Sequence, residues 1–208
     1  MSPAKRVALT FDDGPNPPYT NQILDILKKE NIKATFFVCG ANIKRHPEVV
    51  ERTVKEGHQI GNHTYYHRRS SYLLGKILEE TQSTQQLIDE IDPKNKKLFR
   101  FPWGWKLPWF EKQLMSADYT IIGVGIFGFD WERGATAEKI IRHIAKGLKN
   151  KDKVIITLHD GHNADEGIDR SQTVLAISQI IKSLKSQGYK FTLPQGLKNN
   201  KGRYQEVN

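Results

Sequence analysis

In the stretch VALTFDDGP (Val7–Pro15) an apolar run ends in two adjacent aspartates, Asp12 and Asp13. One acid at a strand exit can cap a helix; two repel each other and resist burial, so the pair calls for a cation. The stretch NHTYYH supplies candidate co-ligands, His63 and His67, four residues apart. On a helical turn that spacing puts both imidazoles on one face, able to converge on one ion. Two histidines and a carboxylate leave open positions for water and substrate, as in a hydrolytic zinc site or a non-haem iron site. One aspartate then binds the ion while the other takes a proton from water, whose pKa the cation lowers. That is chemistry for hydrolysis. The competing reading leaves both histidines on an exposed helix and makes Asp12 a cap. His46, His58, His143 and His162 stand without such company and read as structural or surface residues.

Such a site needs a scaffold that brings distant residues together. Apolar runs occur at Val7–Phe11, Lys33–Val38, Gln59–Asn62, Leu98–Phe101, Tyr119–Ile126, Val154–Leu158 and Tyr189–Leu193. Helical patterns lie between them, with Ile23, Ile26 and Leu27 in the first, Ile77, Thr84, Leu87 and Ile91 in the third, and Val174, Ile177, Ile181 and Leu184 in the last. Strands alternating with helices predict an α/β fold, a distorted (β/α) barrel of seven or eight mainly parallel strands. The unusual polar residues then sort themselves by position. Asp12 and Asp13 follow the first run, His63 and His67 the third, Asp130 the fifth, and His159 and Asp160 the sixth, while Arg100 sits late in the fourth. Parallel barrels gather their chemistry at that C-terminal end of the strands.

The 208 residues, 38% of them hydrophobic, suit one domain spanning 1–208, with a polar, basic tail at 199–208 expected to fray. No apolar run approaches the roughly 20 residues of a membrane span. No signal peptide precedes the first strand, so the compartment stays open between the cytoplasm and export of a chain since trimmed. Cys39 is the lone cysteine and reads as a small buried hydrophobe, which excludes a disulfide framework. The net charge of +9 admits an anionic partner, but the lysines are scattered as on a solubilising surface. No basic run interleaved with aromatics marks a nucleic-acid footprint. Oligomeric state is unspecified, and a monomer is compatible.

Five ordered stretches, TFDDGP (Thr10–Pro15), HTYYH (His63–His67), RFPWG (Arg100–Gly104), FDW (Phe129–Trp131) and TLHD (Thr157–Asp160), resemble the motifs of the polysaccharide deacetylases. This is the NodB-homology group, carbohydrate esterase family 4, and the match spans about Val7 to Leu193. The resemblance implies hydrolysis of N-acetyl groups on N-acetylglucosamine units of peptidoglycan, chitin or a related glycan. It implies one divalent ion, zinc most commonly and cobalt or another as substitutes, on Asp13, His63 and His67. Asp12 would be the general base and Arg100 would hold it in place. His159 would be the general acid, its pKa raised by Asp130. The backbone N–H of Trp103 would donate to the oxyanion, and Trp131 and Leu158 would wall the pocket for the acetyl methyl group.

The chain departs from the family at two places, with Trp103 where many members carry tyrosine and Phe127 where an acid is common. Trp103, Trp105 and Trp109 either stack on sugar rings or pack their loop. Two other functions compete: hydrolysis of a different amide, small or formyl, at the same site, and a catalytically idle glycan-binding module. A phosphate-ester hydrolase is disfavoured, since neither a second metal cluster nor a phosphate-cradling glycine loop is present.

Overall fold

The seven apolar runs become eight parallel strands in the computed structural model, which describes residues 4–197. The tail at 199–208 lies outside the described residues. Strand β1 (Arg6–Asp12) is the centre of the sheet. One of its edges pairs along its whole length with β7 (Lys153–His159). The other is shared: β8 (Lys190–Phe191) takes Arg6 and Val7, and β2 (Thr35–Val38) takes Thr10 to Asp12. The sheet continues from β2 through β3 (Gln59–Asn62), β4 (Leu98–Phe99) and β5 (Thr120–Ile121), and from β7 to β6 (Ile126–Phe127). Among the described residues no ladder joins β5 to β6, so the distorted (β/α) barrel has a seam there.

Eight α-helices connect the strands among the described residues: α1 (Tyr19–Lys29), α2 (Gly40–Arg45), α3 (Pro47–Lys55), α4 (Arg69–Leu73), α5 (Ile77–Ile91), α6 (Pro108–Ser116), α7 (Ala137–Gly147) and α8 (Ser171–Ser186). None of them is long and apolar enough to cross a membrane.

Strand alternation sorts the side chains into two layers. Val7, Leu9 and Phe11 of β1 and Val154, Ile156 and Leu158 of β7 join the main core with Ile23, Leu27, Ile144, Ile177 and Ile181 from the helices. The alternate residues face the barrel interior, where Ala8, Phe37, Leu98, Ile122 and Ile155 form a smaller cluster. Because parallel register partners share a face, the pairings Asp12 with His159 and Asp12 with Phe37 place those three side by side inside. Arg100, two residues beyond Leu98, enters the same interior and is only 1% exposed.

The run Tyr119–Ile126 does not form one strand. Its middle leaves the ladder because Arg100 needs acceptors: the guanidinium donates to the carbonyls of Gly123 at 3.0 Å and Ile122 at 3.5 Å. Gly125 then brings β6 against β7, at a place where a Cβ would stand 2.0 Å from the Ile155 carbonyl oxygen. Cys39 is fully buried.

Candidate active site

Asp12 is the last residue of β1, and Asp13 begins the loop beyond it. Asp13 has φ of 75°, a left-handed backbone that Asp tolerates better than most residues, and its N–H donates to the Phe37 carbonyl at 3.0 Å. The reversal sends the two carboxylates apart. Asp12 Oδ1 accepts from Arg100 Nη1 at 2.6 Å, and Thr10 Oγ1 accepts from the same nitrogen at 2.8 Å. The Arg100 guanidinium also lies 4.0 Å over the Phe37 ring. Burial pulls the arginine's pKa below its usual value while Asp12 opposes the shift. Asp13, held by no arginine, faces the two histidines.

His63 and His67 do not lie on a helical turn. They sit in a loop after β3, with Thr64 at φ 66° and His67 at φ 51°, values no right-handed helix contains; α4 starts only at Arg69. Local hydrogen bonds shape the loop. Asn62 Oδ1 accepts from the Thr64 N–H at 3.0 Å, and Thr64 Oγ1 accepts from the His67 N–H at 3.3 Å. Glu80, buried on α5, accepts the N–H groups of Tyr65 at 3.2 Å and Tyr66 at 3.0 Å through Oε2. Its Oε1 accepts the Ser71 hydroxyl.

Each imidazole is fixed from behind. His63 Nδ1 donates to the Arg100 carbonyl at 2.9 Å, and His67 Nδ1 donates to Asn163 Oδ1 at 2.6 Å. Both Nε2 lone pairs are thereby left for the site. Burial pushes the His63 pKa down to about 4 against the pull of Asp12, so its ring is neutral at neutral pH. Burial raises the Asp13 pKa, but the neighbouring His67 and His63 outweigh it and hold the carboxyl below its usual range.

Asp13 Oδ1 lies 3.5 Å from each Nε2, and the three atoms fall within 4.8 Å of one another. That oxygen is buried and accepts no hydrogen bond. A bare carboxylate oxygen between two bare ring nitrogens is costly unless a cation sits among them. Three such ligands fit a divalent ion of nitrogen and oxygen preference.

His159 ends β7. Its Nδ1 donates to Asp130 Oδ1 at 2.9 Å and its N–H to Asp130 Oδ2 at 2.7 Å. Burial lowers the ring's pKa, yet Asp130 overrides it and raises the value to about 9. Asp130 is itself held by Thr173 Oγ1 at 2.9 Å, and its carbonyl accepts from Arg170 at 3.2 Å.

A cavity of about 320 Å³ collects Asp12, Asp13, His63, His67 and His159, with Trp103, Trp131, Phe101, Val124 and Phe127 as its apolar walls. Arg100 and Asp130 stand behind it, bonded to Asp12 and His159. Trp131 packs edge-on to His159 with ring centroids 4.8 Å apart, and Trp103 packs on His67 at 4.3 Å. Leu158 is absent from the lining; it points to the opposite face of β7 from His159 and is fully buried in the main core. Trp105 packs on Trp103, and Trp109 on Phe110 of α6.

Sequence reasoning missed Glu80, Asn163, Arg170 and Thr173. Glu80 left a trace, a charge on the buried stripe that Ile77, Thr81 and Thr84 mark on α5. Asn163 left none, because only the folded loop brings it to His67.

The fold and the clustered ligands define the class: a distorted (β/α) barrel with an Asp–His–His group at its strand ends. A family model described as polysaccharide deacetylase matches residues 1–122. A peptidoglycan-N-acetylglucosamine deacetylase of Bacillus cereus is 38% identical, over 90% of this chain and 85% of that protein. A chitooligosaccharide deacetylase of Sinorhizobium fredii is 32% identical over 92% of each. The solved structure of the peptidoglycan deacetylase PdaC from Bacillus subtilis matches with a TM-score of 0.78 at 34% identity, over 91% of this chain and 88% of that one. The chain belongs to the polysaccharide deacetylase family.

Proposed function

We propose that this chain removes N-acetyl groups from N-acetylglucosamine units of a glycan, peptidoglycan or a chitin-type oligomer, using one divalent ion, zinc by first choice. Asp13, His63 and His67 would hold that ion. When bound, it would polarise the acetyl carbonyl and bring the pKa of water toward neutrality.

The chain's own residues supply the rest. Asp12 is the general base: Arg100 engages Oδ1 and leaves Oδ2 to take the proton of the attacking water. The N–H of Trp103 donates to the oxyanion that forms on the acetyl oxygen. His159 is the general acid, with Nδ1 tied to Asp130 and Nε2 free to protonate the departing nitrogen. The C–N bond breaks, releasing acetate and the free amine of the sugar. Trp131 and Phe127 give the acetyl methyl an apolar wall.

The observation that carries this reading is the register pairing of Asp12 with His159. It puts the arginine-held Asp12 and the Asp130-held His159 next to each other at the strand ends, close to Asp13, His63 and His67. That proximity supports their reading as base and acid beside the ion. Acetate release from N-acetylglucosamine oligomers by the zinc-loaded protein tests it. The wild type should release acetate and Asp12→Asn should do so about 10²–10⁴-fold more slowly; full turnover by the variant would remove Asp12 from the mechanism.

A further inference from the structure

Beyond the catalytic cavity the surface continues into a groove of about 550 Å³ that shares His67, Trp103, His162 and Asn163 with it. Arg68 and Arg69 line this groove and are exposed. Each rests on aromatic rings. Arg68 Cζ lies 4.9 Å from the Tyr66 ring centroid, and Arg69 Cζ lies 5.7 and 5.3 Å from those of Trp103 and Trp105. Among the described residues neither guanidinium has a carboxylate partner. Asp165, the acid that lines the groove, approaches His162 at 3.3 Å, and Glu166 next to it in sequence pairs with Arg45 at 2.9 Å.

The acetamido group that reacts next door is neutral, so two unpaired cations serve no step of its hydrolysis. A guanidinium lying on a ring keeps its in-plane N–H donors free and has already lost much of its side-chain freedom. That edge matches a planar carboxylate with two parallel hydrogen bonds. We propose that the groove is a subsite for a carboxylate carried by the glycan on the unit beside the one being deacetylated. The inference rests on the deacetylase reading and narrows its substrate class to acidic glycans.

The test compares two ligands on the zinc-loaded full chain: an N-acetylglucosamine oligomer with a carboxylate on the neighbouring unit, and the same oligomer with that carboxylate converted to a methyl amide. Binding is read from tryptophan fluorescence and turnover from acetate release. The acid should bind about tenfold more tightly than the amide at low salt. The ratio should fall to near one in the Arg68→Gln/Arg69→Gln double variant, and also in high salt. Both side chains are exposed, so the double variant should unfold with the wild type. Equal binding of the two ligands by the wild type, or a preference that survives in the double variant, would overturn the subsite. A binding preference without acetate release from either ligand would instead count against the deacetylase reading and leave the subsite standing.

Discussion

Arg100 Nη1 and Asp12 Oδ1 meet at 2.6 Å in the barrel interior, joining side chains 88 residues apart. The bond separates the roles of two neighbouring aspartates, one held by an arginine and the other facing two histidines. Replacing Arg100 with leucine strands the Asp12 charge in a buried site, a loss of about 3–5 kcal/mol of stability. Urea unfolding measures it. Asp12→Asn should lower the rate about 10²–10⁴-fold with zinc affinity retained, which a zinc titration checks.

The pairing of Asp130 with His159 makes a prediction about pH. The ring's pKa is raised to about 9, so a general acid at this position should work up to that pH and then fail. Asp130→Asn removes the carboxylate and should move the alkaline fall of the rate profile toward more acid pH. Stability follows the same sign. The folded pKa lies above the ordinary 6.5, so the pair's contribution is complete below 6.5 and disappears as pH rises through 9. Unfolding midpoints on either side of that window should differ in the wild type and converge in the variant.

Metal removal should destabilise the fold as well as silence it. An ion bound by the native state alone adds about 2.7 kcal/mol at a free concentration of one hundred times Kd. Chelation should lower the melting temperature of the wild type and leave that of Asp13→Ala unmoved, as calorimetry would report.

Glu80 touches neither histidine directly, but it holds two of the three backbone N–H groups between His63 and His67. Glu80→Gln keeps the shape and surrenders the charge-assisted bonds. Zinc affinity should fall about 10–100-fold, the range for groups that orient ligands. An unchanged zinc titration would make Glu80 a plain helix residue.

Leu158 and Phe127 offer a contrast between core and cavity. Leu158→Ala should cost about 2–5 kcal/mol of stability while the surviving folded protein keeps its KM. Phe127→Ala, on the cavity wall, should change KM more than the unfolding midpoint.

Much of this architecture was legible in the chain. Aspartates, histidines and Arg100 at strand ends announced a barrel's reactive rim, because parallel strands deliver their exits to one side. Period-two alternation puts Leu158 and His159 on opposite faces of β7, which is why Leu158 joins the main core and not the cavity wall. The four-residue spacing of His63 and His67 suggested a helical turn, but left-handed Thr64 and His67 build the convergence instead. Residue spacing carries no record of such backbone reversals. The break after Ile121 escaped notice because its cause, Arg100, lies about twenty residues earlier and acts only across the folded interior. Asn163 and Thr173 were invisible for the same reason.

The most direct measurement is anomalous diffraction at the zinc edge from crystals grown with zinc. The account predicts one peak at about 2.0–2.2 Å from Asp13 Oδ1 and the Nε2 atoms of His63 and His67, with Asp12 still bonded to Arg100 and outside the coordination. A peak coordinated by Asp12 in place of Asp13, or zinc bound only elsewhere on the molecule, would contradict it.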